Sequence, residues 1–229
     1  MTPAIGSRYV AAPLSTAGGC FAVLAATRIG GAYTAVLMVL SMALTPAVLL
    51  LAPRPDWGAM GVCRSRSRPA LGLGVGLVLI SYAVGVIASF AAFARTEDNW
   101  LTWIPRLAEQ LVPGPVAVRT AAMLVVLGIV VPVAEELCYR GFLFDAVGRR
   151  FGPRAAVVVT SCAWTVVHLG DYGLNPYHPM VIVSSFGSIF LMGLALGITR
   201  LLTGSVAACV IAQGVANVAL FSGLLALPG

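Results

Sequence analysis

A chain of 229 residues, 59% of them hydrophobic and only 10% charged, with mean hydropathy +0.97, is not a soluble globular domain, where about a quarter of residues are charged. Its formal charge of +6 comes from fourteen arginines and no lysine. These sit mainly at the ends of apolar stretches, where they anchor helices and set topology, so nucleic acid is not the expected partner; the lipid bilayer is. The expected fold is all-α, a polytopic transmembrane helical bundle of about six to seven spans. Residues 1–119 would carry N-terminal helices and an amphipathic connection, and 120–229 the functional core, in one integral domain overall.

Residues 9–27 are moderately apolar and end at Arg28. An interfacial helix, an additional span or an extension of the next helix all fit them. The N-terminus lacks the pattern of a cleavable signal. Residues 29–52 read as a spanning helix. In the loop that follows, Arg54, Arg64, Arg66 and Arg68 stand against Asp56, a net +3 that argues for the cytoplasmic side. Residues 70–94 form the next span, and the run GLGVG after Leu71 suits close helix packing. Residues 95–119 are the long polar connection, with Arg95, Arg106 and Arg119 balancing Glu97, Asp98 and Glu109. Trp100 and Trp103 predict an amphipathic stretch at the outer interface.

A third span starts near Thr120 and ends near Arg149 and Arg150; a fourth runs from about Pro153 to Gly170. The outer loop DYGLNPYHP follows, and its His178 reads as solvated. A fifth span covers about 180–199, with Arg200 on the inner side, and a sixth covers about 205–227. The five cysteines are odd in number and contain no CxxC; four lie in apolar runs and read as small buried hydrophobes, while Cys63 sits in the Arg-rich loop.

The third span holds the informative residues. It reads LVVLGIVVPVAEELCYRGFLF from Leu124, with Glu135 and Glu136 adjacent. A carboxylate costs about 2.5–3.5 kcal/mol at mid-helix on insertion scales, so two of them imply a use. Side chains three or four apart share a helix face. Glu136 can therefore pair with Arg140 as a structural ion pair. Glu135 lies about 100° further round the helix, on the side of Tyr139, and reads as unpaired and available as a general base. Pro132, one turn earlier, predicts a kink.

If the third and fourth spans form an antiparallel hairpin turning at Phe151 and Gly152, Glu135 and His168 stand equally far from the turn and at similar depth. Trp164 shares the face of His168 and would wall the site with Tyr139. In the last span Gln213 and Asn217 lie four apart on one face. Such amides donate to a developing oxyanion or bond between helices.

These residues resemble the CPBP family, the CAAX proteases and bacteriocin-processing enzymes also called the abortive-infection family. Its EExxxR motif reads EELCYR here, Glu135 to Arg140, followed by Gly141 and Phe142. Its FxxxH motif reads WTVVH, Trp164 to His168, and its HxxxN motif reads QGVAN, Gln213 to Asn217. The likeness covers roughly residues 120–225. It implies a polytopic intramembrane endopeptidase in which Glu135 activates water, His168 assists it or binds a metal, and Gln213 and Asn217 hold the oxyanion. The substrate would be a membrane-associated peptide or protein, and the location a bacterial cytoplasmic membrane. Gln213 stands where the family has histidine. Zinc, the cofactor some members are thought to use, would then find only Glu135 and His168, whereas catalytic zinc usually takes three protein ligands. Two further readings follow: a catalytically impaired member acting as a membrane binding or immunity factor, and a transporter or proton relay.

Overall fold

The structure is a computed structural model. It describes the backbone of residues 54–227, the side chains of 57–227, and six earlier positions, Gly18, Gly19, Ala22, Ala25, Ala26 and Ile29. Apart from those six positions, the stretch 9–27 and the expected span 29–52 lie outside the described residues.

Seven helices account for most of the described chain: α1 (Arg54–Ala59), α2 (Arg68–Phe93), α3 (Trp103–Leu111), α4 (Val116–Phe151), α5 (Pro153–Asp171), α6 (Pro179–Thr203) and α7 (Val206–Ala226). No β-strand occurs among the described residues. The fold is an all-α helical bundle. Local chemistry sets the helix ends. Ser67 caps α2 by accepting from the Ala70 N–H at 3.2 Å, with Pro69 in the first turn. Ser205 caps α7 in the same way, accepting from the Ala208 N–H at 3.3 Å. Gly152, at φ +87°, takes a turn that an L side chain resists, and α5 starts directly after it at Pro153. The expected hairpin at Phe151 and Gly152 is therefore present.

Four of these helices, α2, α4, α6 and α7, are long and apolar enough to cross a membrane. The expected fourth span, now α5, is not among them. Arg154, Thr160, Ser161, Thr165, His168 and Asp171 dilute its apolarity, and it buries Thr160, Ser161 and Thr165 against the bundle. Their hydroxyls are satisfied by carbonyls one turn back, Thr160 to Ala156, Ser161 to Val157 and Thr165 to Ser161. Helix α6 is the centre of the bundle, packed on α2, α5 and α7, while α4 packs along α7. Gly193 lets α6 approach α5, since a side-chain carbon there would press on Ser161 and Trp164.

In the polar connection Trp100 is buried against the bundle. Its indole N–H donates to Ser89 Oγ at 2.9 Å and its ring meets Tyr172 edge-on at 5.1 Å. Asn99 explains the placement: its amide bonds the Ala94 carbonyl at 2.7 Å, folding the segment back on the end of α2. Trp103 remains nearer the surface, donating to the Glu97 carbonyl. His178 is not simply solvated; it packs against Trp103 and lies 3.8 Å from Asp98. Cys138 and Cys209 are buried as expected, whereas Cys162 faces outward from α5.

Candidate active site

Helix α4 is not a uniform α-helix. Its hydrogen bonding widens to π geometry over Val126–Val130 and again over Leu137–Leu143, on either side of the glutamates. Such insertions are frequent at functional sites. The first has a clear cause. Pro132 has no N–H, and the Val131 N–H bonds Val126, five residues back. The Leu127 carbonyl thus has neither of its usual donors. Asn217 of α7 supplies one, with Nδ2 at 3.0 Å.

Glu135 and Glu136 are both buried and face different neighbours. Arg140 Nη1 donates to Glu136 Oε1 at 2.6 Å, and Nη2 to the Gly193 carbonyl of α6 at 3.1 Å. The guanidinium also stands 5.4 Å over the Trp164 ring. Arg200 Nε in turn donates to the Arg140 carbonyl at 3.0 Å. The Glu136–Arg140 pair therefore ties α4 to α6 and backs Trp164.

Glu135 is not unpaired, as helical phase alone predicted. Its Oε2 accepts from Trp164 Nε1 at 2.9 Å and from Gln213 Nε2 at 2.8 Å. The phase argument considered only α4, whereas these donors come from α5 and α7. Trp164 is thus more than a wall: its indole holds the carboxylate. Tyr139 is buried but does not line the cavity at the site, because the π turn starting at Leu137 changes the helical phase between it and Glu135.

His168 Nε2 lies 3.7 Å from Glu135 Oε1, beyond direct hydrogen-bond length. The other ring nitrogen, Nδ1, is 2.8 Å from the Trp164 carbonyl. A carbonyl only accepts, so Nδ1 carries the proton, and in the neutral ring Nε2 presents its lone pair towards Glu135. Two oxygen and nitrogen acceptors thus face one another. The arrangement suits a water that donates to both.

Glu135, Trp164, His168, Gln213 and Asn217 all line one cavity of about 90 Å³, roofed by Ile104, Leu107 and Leu111 of α3. The four residues expected to perform the chemistry are therefore brought together. No three His, Cys, Asp or Glu side chains among the described residues converge on a common metal position. Gln213 turns its amide nitrogen, a donor, to the carboxylate, which is the wrong polarity for a ligand beside a metal-bound oxygen. The donor set does not fit a three-ligand zinc centre.

The packing of α7 on α4 holds this geometry. A methyl group on Gly214 would overlap the Gly128 carbonyl oxygen, which is backbone and cannot swing away. Gly214→Val is expected to cost about 1–3 kcal/mol of stability through overpacking and to move Gln213 off Glu135. Thermal unfolding and peptide cleavage measured together check this; a variant as stable and as active as the parent would contradict the close crossing.

Residues 117–219 match the family model described as type II CAAX prenyl endopeptidase Rce1-like. Over these residues, a little under half of the chain, it is similar to the CAAX protease family. No curated protein and no solved structure matches the chain. The CAAX-type core begins within α4 and ends within α7, and it contains all three motif segments. The match supports an integral multi-pass membrane protein with the activity class of an intramembrane endopeptidase.

The cavity also receives residues that sequence reasoning passed over. Asp171 and Tyr172 line it from the end of α5. Asp171 lies three residues after His168, one helical turn on the same side, a spacing that could have drawn it into the candidate set. Tyr82 of α2 lines it from outside the matched core, and no pattern in residues 70–94 singles it out.

Proposed function

We propose that this protein is an intramembrane endopeptidase in which Glu135 is the general base and His168 its partner. The substrate class is a membrane-associated peptide, and the family description points to the prenylated CAAX terminus. The observation that carries the reading is the meeting of Glu135, His168, Gln213 and Asn217, from three helices, in one cavity.

The chemistry follows from which atoms are engaged. Trp164 and Gln213 both donate to Glu135 Oε2, and Oε1 lies 3.7 Å from His168 Nε2. A water donating one hydrogen to Oε1 and the other to His168 Nε2 is oriented for attack. As its oxygen bonds the scissile carbonyl carbon, Glu135 takes the proton. Each amide group, Gln213 Nε2 and Asn217 Nδ2, has two hydrogens and uses one within the protein. The second hydrogen of each is available to the developing oxyanion. Collapse of the tetrahedral species breaks the C–N bond, and the proton on Glu135 passes to the leaving amine. One water is consumed, and one carboxylate and one amine are formed. No step is routed through a metal.

The Nδ1 contact makes His168 a directed acceptor. His168→Ala is expected to lower kcat by about 100-fold or more for a fluorogenic S-farnesylated CAAX peptide in proteoliposomes. Cleavage at the parental rate would remove His168 from the mechanism. Gln213 favours a second reading, binding without cleavage, because it cannot carry a proton as histidine can. A silent parent that gains cleavage on Gln213→His would support that reading, and an active parent would end it.

A further inference from the structure

We infer that Tyr82 is a positioning residue of this centre, acting through Asn217. The inference rests on the endopeptidase reading, and it adds to the site a residue from outside the 117–219 core. Tyr82 is buried on α2 and lines the same cavity as Glu135 and Asn217. Its hydroxyl donates to Asn217 Oδ1 at 2.9 Å, while Asn217 Nδ2 donates to the Leu127 carbonyl at 3.0 Å.

Together these bonds fix which way round the amide stands. A flipped Asn217 would set its oxygen against the Leu127 carbonyl, two acceptors in contact, and would leave Tyr82 without its acceptor. With both ends held, the second Nδ2 hydrogen has one direction, and a preorganised donor is what stabilises an oxyanion without reorganisation. Leu127 alone does not suffice, because an amide held at one end still pivots about that bond. On its other side Tyr82 borders an apolar groove between α2 and α7, lined by residues such as Leu79, Val86, Phe90 and Leu224, none of which donates from its side chain. Tyr82→Phe keeps the ring in its packing and removes only the donor. Tyr82 thus brings a hydroxyl from outside the matched core to the reaction centre.

The test uses the full chain in proteoliposomes with the S-farnesylated CAAX peptide. It compares Tyr82→Phe, Asn217→Ala, the double variant and Glu135→Gln. Tyr82→Phe is expected to lose about tenfold in kcat with KM within about twofold, and to cost nothing further on Asn217→Ala. A second readout does not depend on turnover. The chain has three asparagines, Asn99, Asn175 and Asn217. With ¹⁵N-asparagine, Tyr82→Phe should shift the side-chain amide pair of Asn217 and leave the other two in place. Parental kcat in Tyr82→Phe, the same tenfold loss on top of Asn217→Ala, or an unshifted Asn217 amide would each overturn the inference. Glu135→Gln separates the two claims: undiminished cleavage there overturns the endopeptidase reading, whatever the Asn217 amide reports about Tyr82.

Discussion

Glu135→Gln is expected to reduce peptide cleavage by about 1,000-fold or more while leaving the fold intact. The substitution is isosteric, and an amide oxygen in the place of Oε2 can still accept from Trp164 Nε1 and Gln213 Nε2. What is lost is the basic oxygen facing His168 at 3.7 Å. General-base catalysis contributes typically about 10²–10⁴-fold, and here the same group also returns the proton to the leaving amine, so the upper part of that range applies. Thermal unfolding of the variant within a few degrees of the parent, combined with the rate, separates a chemical from a structural effect. A variant that unfolds like the parent and cleaves like it would show that Glu135 is not the base.

Arg140→Leu carries the largest expected effect on stability. Arg140 and Glu136 have no exposed side-chain surface, and their contact is 2.6 Å. Removing one member of a buried ion pair leaves the other uncompensated, at a cost of about 3–5 kcal/mol. The loss extends further in this chain, because the guanidinium also holds the Gly193 carbonyl and covers Trp164, the residue that fixes Glu135 Oε2. The variant is therefore expected to unfold at a markedly lower temperature and to lose activity. Glu136→Gln with Arg140→Leu should recover part of the stability, since no buried charge then stands alone. Unchanged unfolding in Arg140→Leu would mean that the pair is not the strut that ties α4 to α6.

The bundle and its hairpin were legible because hydropathy, arginine placement and the Gly152–Pro153 break act locally along the chain. The ion pair was legible for the same reason, four residues being within reach on one helix. Glu135 was harder. Counting along α4 left it without a partner, because its two donors come from α5 and α7, and tertiary partners leave no trace in one helix's periodicity. The π turns were likewise hidden, although Pro132 signalled a disturbed backbone; only the position of Asn217 shows how the freed Leu127 carbonyl is satisfied. The polarity of Gln213 also waited on structure. The sequence shows an amide where an imidazole was expected, but not that its nitrogen faces the carboxylate. Tyr82 had no signal at all, since a single tyrosine in an apolar span gains meaning only from what lies across the cavity.

The most direct test of the central claim, that these residues form a hydrolytic centre, is the mass of the products. The purified protein in proteoliposomes is incubated with an S-farnesylated CAAX peptide in H₂¹⁸O, and both fragments are measured by mass spectrometry. The account predicts a released C-terminal tripeptide and one ¹⁸O atom in the new carboxylate of the prenylated fragment, both dependent on Glu135. Folded parent protein that releases no tripeptide, or release that persists in Glu135→Gln, would contradict it.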